Sequence, residues 1–139
     1  MISYIYSAEE IKSEHLRGFF EGWPNPPGPE THLLILKQSH EIVLALDNDT
    51  GQVVGFVNAI SDGVLAAYIP LLEVLPKYRK QGIGSELMER MLDRLRNYYM
   101  IDLVCDPEME QFYSRFKLNK GTAMMIRNFD RQSGSPDVY

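Results

Sequence analysis

The sequence has a single cysteine, Cys105, among 139 residues, so the chain cannot form an internal disulfide. A free thiol is compatible with a reducing compartment. The three histidines, His15, His32 and His40, have no metal-ligand spacing, and we predict no metal. No apolar run approaches the roughly 20 residues that span a bilayer, and no basic and then apolar leader is visible at the start. These absences predict a cytoplasmic protein without a membrane partner.

An excess of positive charge is also absent. The chain has 19 acidic and 14 basic residues, for a formal net charge of −5. Proteins that bind phosphate backbones are usually basic, so we expect no nucleic-acid partner. The hydrophobic fraction of 45% is typical of a globular protein, and the length is sufficient for one core. We predict a single domain over residues 1–130 and a flexible tail over residues 131–139.

The N-terminal third mixes helix signals with helix breakers. Residues 2–6 are predicted to form a strand. Ser7 and Glu10 have capping-box spacing, which predicts a helix that turns the apolar residues at positions 11, 16, 19 and 20 inward. The prolines and glycines of residues 22–29 exclude a helix there. A second helix is predicted over residues 30–37.

The rest of the chain alternates strand and helix patterns. Three consecutive apolar segments separated by turn residues predict antiparallel strands joined by hairpins. Residues 82–97 have apolar side chains at the 3.6-residue period, which predicts an amphipathic helix. The predicted strands are 42–46, 52–60, 64–74, 101–105 and 122–128, and the last predicted helix covers 107–116.

The most informative segment is residues 72–85, which reads as a strand, a basic turn and a helix N-terminus. The first turn of a helix has main-chain N–H groups without internal partners, and the helix dipole makes that end positive. Gly82 and Gly84 would let an anion approach these amides, while Lys77, Arg79 and Lys80 add positive charge. The segment therefore predicts a diphosphate site.

Two familiar phosphate loops do not fit this segment. A Walker loop would need Gly-Lys-Ser/Thr, but Gly84 is followed by Ser85 and Glu86. A dinucleotide fingerprint would need a small residue three positions after Gly84, where Leu87 stands. The remaining pattern, Arg/Gln-x-x-Gly-x-Gly after a strand and a proline, resembles that of the GNAT superfamily of acetyl-CoA-dependent N-acetyltransferases. An ordinary helix with a basic, glycine-rich start is the alternative.

A second segment also resembles this family. Residues 106–116 follow a predicted strand and are similar to the family pattern Asn-x-x-Ala-x-x-Leu/Phe-Tyr-x-Lys/Arg-x-Gly-Phe. Asp106 stands in the place of the Asn, Met109 in that of the Ala, and Lys117-Leu118 in that of the Gly-Phe. The order of elements over residues 2–128 is similar to the family's throughout.

The resemblance implies an α+β fold with a mostly antiparallel sheet of about six to seven strands, splayed between strands 4 and 5 and flanked by about four helices. It implies acetyl-CoA as co-substrate, with its arm in the gap between these strands. The residues implied in cofactor binding are Leu72, Glu73, Val74, Arg79, Lys80, Gln81, Gly82, Ile83, Gly84, Ser85, Asp106 and Tyr113.

The resemblance further implies direct attack of an amine on the thioester, with a main-chain N–H near Val74 stabilising the oxyanion. Tyr113 is the candidate general acid for the leaving thiolate, unless it is only a packing residue. Glu73 is the candidate general base, with a water chain or His32 as alternatives. In a regular strand Glu73 faces away from its neighbours, so this role needs a bulge. Cys105 is predicted to be a buried, inert thiol.

The acceptor is expected to be a small-molecule or peptide amine. Phe19, Phe20, Trp23 and Pro24 either form an apolar wall for it or, as we favour, pack in the core. Two other functions are compatible with the sequence: a non-catalytic coenzyme A sensor and a plain protein-interaction domain. A homodimer is also expected from the resemblance.

Overall fold

The computed structural model describes residues 1–134, and these form one mixed sheet with helices on both faces. The strands are β1 (Ile2–Ile5), β2 (Glu41–Asp47), β3 (Val53–Ser61), β4 (Ala66–Val74) and β5 (Met100–Leu103). They lie in sequence order, antiparallel from β1 to β4, while β5 is parallel to β4. The α-helices are α1 (Pro29–Gln38), α2 (Ile83–Arg94) and α3 (Glu110–Ser114).

The alternation of β2 and β3 builds two cores, one on each face of the sheet. Val43 and Val57 face α2 and pack with Leu87, Met88 and Met91. The other face carries a second buried cluster, which includes Ile11, Leu16, Phe19, Leu36, Leu44 and Phe56. Both faces of these central strands are covered, which explains their continuous apolar sequences.

Gly55 determines how closely α2 approaches the sheet. A Cβ at this position would lie 3.1 Å from the Leu87 side chain and 3.3 Å from that of Ile83. The missing side chain therefore allows the first turns of α2 to lie directly on β3. This contact fixes the start of α2 beside the end of β4.

The predicted helix after Ser7 does not form. Residues 6–28 are irregular, with a single 3-10 turn at Ser13–His15. The Ser7 hydroxyl accepts from the Glu9 N–H, two residues on, rather than capping a helix. Phe20 adopts a positive φ of 65°, which no helix allows. The inward placement of the four apolar residues is nevertheless confirmed, because Ile11, Leu16, Phe19 and Phe20 are all buried.

The predicted strand 122–128 is also absent, so the sheet formed by the described residues has five strands rather than six or seven. Residues 121–130 are exposed throughout and pair with no other strand of the described chain. The predicted last helix is shorter, with a 3-10 turn at Pro107–Met109 before α3. The other helices and strands are confirmed, and each of their ends lies within three residues of its predicted position.

The predicted tail, residues 131–139, falls largely on residues 135–139, which lie outside the described part of the chain. The part that is described folds back onto the loop before α1. The Asn25 N–H donates to the side-chain oxygen of Gln132 over 2.9 Å. Within residues 1–134, no helix combines the length and apolar character needed to cross a bilayer.

Candidate active site

The sheet opens between β4 and β5. Only residues 66–69 of β4 pair with β5, while β4 continues to Val74. The β3–β4 register shifts between Asn58, opposite Leu71, and Ile60, opposite Tyr68, which places a bulge in β4 around Pro70. Proline has no N–H to give to a ladder, so it suits a bulge. Beyond this bulge the strands part, and the splay between strands 4 and 5 is confirmed.

Main-chain groups of β4 face this gap at alternate residues. The Leu75 N–H donates to the Val54 carbonyl over 2.8 Å, on the β3 side. Strand alternation then directs the main chain of Glu73 to β3 and that of Leu72 and Val74 to the gap. The Val74 carbonyl there accepts from Arg79 Nε over 2.9 Å. The main chain of Glu73, predicted to hold the cofactor arm, is therefore turned away from it.

The N-terminus of α2 opens at the same gap. Its cap residue, Gly82, has a φ of 83°, and no side chain of residues 1–134 caps the helix. The Glu86 N–H makes the bond to the Gly82 carbonyl, at 3.1 Å, that closes the first helical turn. The amides of Ile83, Gly84 and Ser85 precede this bond and have no carbonyl within the helix to accept from them. This helix end has the free main-chain donors that the sequence predicts for an anion site.

A cavity of about 610 Å³ joins the open edge of β4 to this helix end. Its size is in the range of small-molecule and cofactor sites. Most of the predicted cofactor residues line it, namely Leu72, Glu73, Val74, Arg79, Lys80, Gly82, Ile83, Gly84 and Ser85. Gln81, Asp106 and Tyr113 do not line it.

Besides Tyr78, three residues of the same cavity that follow β5 were missed from the sequence: Met109, Phe112 and Arg115. A Cβ at Gly84 would lie 3.6 Å from the Phe112 ring, so this ring closes the side of the cavity opposite β4. Arg115 lies 4.8 Å over the Phe112 ring, and its Nη2 donates to the Ser85 hydroxyl over 3.2 Å. The three-residue spacing of Met109, Phe112 and Arg115 in the sequence could have indicated a shared site, because it places the three side chains on one helix face.

Tyr113 lies one position further round α3 and lines a second cavity, of about 760 Å³, along β5. Burial, with a smaller contribution from Cys105, raises the pKa of Tyr113 to about 12. The phenol is therefore protonated at neutral pH but is a weaker acid than a free tyrosine. Asp106 lies before α3, where its carbonyl accepts from the Met109 N–H over 2.9 Å. The catalytic role of Tyr113 stays a prediction.

The Glu73 side chain forms hydrogen bonds with the loop before α1. Its Oε1 accepts from the Phe20 N–H over 2.8 Å and its Oε2 from the Glu21 N–H over 3.2 Å. Glu21 in turn lies 3.5 Å from the Arg79 guanidinium. Glu73 lines the cavity as predicted for a base, and it also fixes the segment that borders the cavity.

His32, the alternative base, is in the core. It is 1% exposed and lies among the rings of Phe19, Phe20 and Phe56, with centroids 4.4–5.2 Å away. Burial lowers its pKa to about 4, so the imidazole is neutral at pH 7. Within residues 1–134, neither ring nitrogen has a hydrogen-bond partner. Phe19 and Phe20 are thus confirmed as core residues, while Trp23 packs on Phe20 and is 38% exposed.

Cys105 lines the Tyr113 cavity and is half-buried. Burial raises the pKa of its thiol, with further contributions from the carboxylates of Glu110, Asp106 and Glu108. A raised pKa reduces the thiolate fraction, and the thiolate is the nucleophilic form. The low thiolate fraction agrees with the predicted inert thiol, but the prediction that Cys105 is buried is wrong, because its side chain is half-exposed at the cavity wall.

The geometry can be compared with known proteins. The model of the Acetyltransferase (GNAT) family matches residues 8–117, which is most of the chain. The chain belongs to the GNAT acetyltransferase family. Within this family, a crystal structure of a candidate acetyltransferase from Deinococcus radiodurans R1 has a TM-score of 0.94 and 51% identity, covering 97% of this chain and 94% of that one.

A GNAT-family acetyltransferase from Streptococcus pneumoniae TIGR4 has a TM-score of 0.74 and 31% identity, covering 92% of this chain and 98% of that one. Glucosamine-6-phosphate N-acetyltransferase from Arabidopsis thaliana shares the fold, with a TM-score of 0.66 at 16% identity, over 91% of this chain and 99% of that one. No curated protein matches the chain.

Proposed function

We propose that this chain transfers the acetyl group of acetyl-CoA to a primary amine by direct attack in a ternary complex. The proposal rests on one observation, which is that two sets of main-chain hydrogen-bonding groups face the same cavity. The main chain of Leu72 and Val74 faces the gap from one side, and the open amides of Ile83 to Ser85 face it from the other. Such a cavity suits an extended ligand with an amide-containing arm and a diphosphate.

Each part of this cavity has a role in the proposal. Arg79 and Lys80 add positive charge beside the N-terminus of α2, which helps to stabilise the negatively charged diphosphate. The Phe112 ring covers the apolar part of the arm, and the Val74 N–H stabilises the oxyanion that develops on the thioester carbonyl. The acceptor nitrogen forms the new C–N bond while the C–S bond breaks. Its proton leaves to Glu73 or a water chain, and the sulfur gains one from Tyr113 or from water.

The acceptor amine enters the cavity beside the loop whose Phe20 and Glu21 N–H groups donate to Glu73. The Glu73 carboxylate lines this end of the cavity, which favours a cationic amine over an acidic one. The buried positions of Phe19 and Phe20 leave Trp23 as the aromatic residue of this segment that a substrate could contact.

A matched pair of glycines tests cofactor binding. Gly82 and Gly51 have φ values of 83° and 76°, and a Cβ at either would meet no atom within 4 Å. Gly82→Ala and Gly51→Ala should therefore lose similar stability, while only Gly82→Ala weakens acetyl-CoA binding by calorimetry. Bulkier residues at Gly82 and Gly84 together should abolish it. Unchanged binding by the folded double variant would refute the diphosphate site.

A coenzyme A sensor on the same fold is the second candidate. It is favoured by the placement of Tyr113 in a different cavity and by the engagement of the Glu73 carboxylate with the main chain. Release of free thiol with a panel of primary amines separates the two functions. Tight acetyl-CoA binding without thiol release for any amine would favour the sensor.

A further inference from the structure

A third basic side chain lines the cavity, besides Arg79 and Lys80 of the loop before α2. Arg115 comes directly after α3, so it reaches the cavity from the side opposite β4. Within residues 1–134, the Arg115 guanidinium forms no ion pair with a carboxylate. An arginine without a carboxylate partner at a cavity wall is suited to bind an anionic group of a ligand.

The Arg115 side chain is held beside the first turn of α2 by contacts with uncharged groups. Its Nε donates to the Phe112 carbonyl over 3.3 Å, and its Nη2 donates to the Ser85 hydroxyl over 3.2 Å. The guanidinium also lies 4.8 Å from the centre of the Phe112 ring. An arginine has more N–H donors than these bonds use, so further donors, including those on Nη1, have no hydrogen-bond partner within residues 1–134.

The surroundings of this guanidinium favour a phosphate over the other parts of a thioester cofactor. The main-chain N–H of Ser85, the residue that Arg115 contacts, is one of the free amides at the start of α2. Arg79 and Lys80 line the same cavity, so positive charge is concentrated there in a protein whose net charge is −5. A planar guanidinium can bond to two oxygens of one phosphate, and such charge-assisted bonds are stronger than the neutral bond to Ser85.

We propose that Arg115 binds a phosphate of the cofactor and makes the chain selective for the nucleotide thioester over a thioester of pantetheine alone. The inference rests on the proposed function, because the ligand is the same acetyl-CoA molecule. On binding, Nη2 exchanges the Ser85 hydroxyl for a phosphate oxygen, while the Phe112 ring keeps the guanidinium in position. Coenzyme A carries a diphosphate and a 3′-phosphate ester, and both have the oxygens that this contact needs.

The alternative role of Arg115 is purely structural. A side chain that bonds to both α3 and α2 could serve only to hold the two helices together. Arg115 is exposed, and exposed contacts of this kind contribute little to stability. A structural role predicts the same loss of affinity for every ligand of the cavity, whereas a phosphate contact predicts a loss only for ligands that carry the phosphate.

Calorimetric titration with coenzyme A tests the contact in Arg115→Gln, which removes the charge but keeps a polar side chain. We expect the dissociation constant to rise by at least about tenfold, because one charge-assisted hydrogen bond is lost. Arg96→Gln is the matched control, because Arg96 is an exposed arginine that pairs with Asp93 outside the cavity. It should change the constant by less than about twofold. Arg115→Lys keeps the charge without the planar fork and should bind coenzyme A with intermediate affinity.

Two further probes separate phosphate recognition from packing. Pantetheine has no phosphate, so the parent and Arg115→Gln should bind it equally. With 3′-dephospho-coenzyme A, a retained loss of affinity assigns the contact to the diphosphate, and an abolished loss assigns it to the 3′-phosphate. An unchanged dissociation constant for coenzyme A in Arg115→Gln, or an equal loss with pantetheine, would overturn this inference alone. A parent that does not bind coenzyme A would refute the proposed function and this inference with it.

Discussion

Glu73→Gln separates the two roles open to this carboxylate. Both of its oxygens accept main-chain N–H groups, from Phe20 at 2.8 Å and from Glu21 at 3.2 Å. A glutamine side chain has almost the same shape but only one acceptor oxygen. Its NH₂ group would face one of the two N–H donors, so one hydrogen bond is lost and the other loses its charge.

The expected cost follows from these contacts. A hydrogen bond to a charged group contributes roughly 1.5–3 kcal/mol. The bond to Phe20 is partly buried, whereas that to Glu21 is exposed and contributes less. The amide is expected to keep the more buried bond, and we expect Glu73→Gln to lower the free energy of unfolding by about 1–2 kcal/mol. Glu89 is an exposed carboxylate on α2, so Glu89→Gln should change stability by less than about 0.5 kcal/mol.

Urea denaturation of the two variants measures this difference, and the pH–rate profile of thiol release measures catalysis on the same preparations. If Glu73 is the base, its variant loses turnover and the acidic limb of the profile. If Glu73 only anchors the loop, stability falls while the shape of the profile is retained. Equal stability of Glu73→Gln and the parent would refute the anchoring argument.

Three further predictions concern the cavity and the core. Gly84→Ala should stabilise the free protein by up to about 1 kcal/mol, because it replaces a helical glycine. It should also weaken acetyl-CoA binding, because the added methyl group enters the cavity between Phe112 and Val74. Thermal unfolding measures the first effect and calorimetry the second. Tyr113→Phe should lower turnover far more than cofactor affinity, and unchanged turnover would exclude Tyr113 from the mechanism. His32 is neutral when folded, with a pKa near 4, but takes up a proton below pH 6.5 when unfolded. The free energy of unfolding should therefore fall by roughly 3 kcal/mol as the pH falls from 6.5 to 4. His32→Phe should remove this loss, which urea denaturation at pH 7 and pH 4 measures. An equal loss in the parent and in His32→Phe would contradict the prediction.

The features that depend on local sequence were predictable. The 3.6-residue period of residues 83–94, the hairpin turns and the glycines at 82 and 84 are all local signals, and each predicted the observed element. Because the helix end and the strand before it are adjacent in sequence, this side of the cavity could be predicted as well. Pro70 was a further local signal for the bulge, although it was not used.

The features that depend on distant contacts were not predictable in the same way. The capping-box spacing at Ser7 favours a helix, but residues 11–20 instead follow the contacts that bury their apolar side chains against β2 and β3. Their spacing, with four residues between Ile11 and Leu16, was already irregular for a helix. The dual engagement of Glu73 depends on a loop more than 50 residues away in sequence, and no local pattern indicates it.

The missing last strand has a different physical reason. Strand propensity is mostly a measure of packing on a pleated surface, so it is expressed only where a sheet edge is within reach. The sequence of residues 122–128 has that propensity, and no strand within residues 1–134 covers the outer edge of β5. Residues 117–121, which precede this segment in the sequence, line the cavity along that edge, and the segment continues beyond the edge without pairing with β5. The strand prediction is therefore wrong for the described part of the chain.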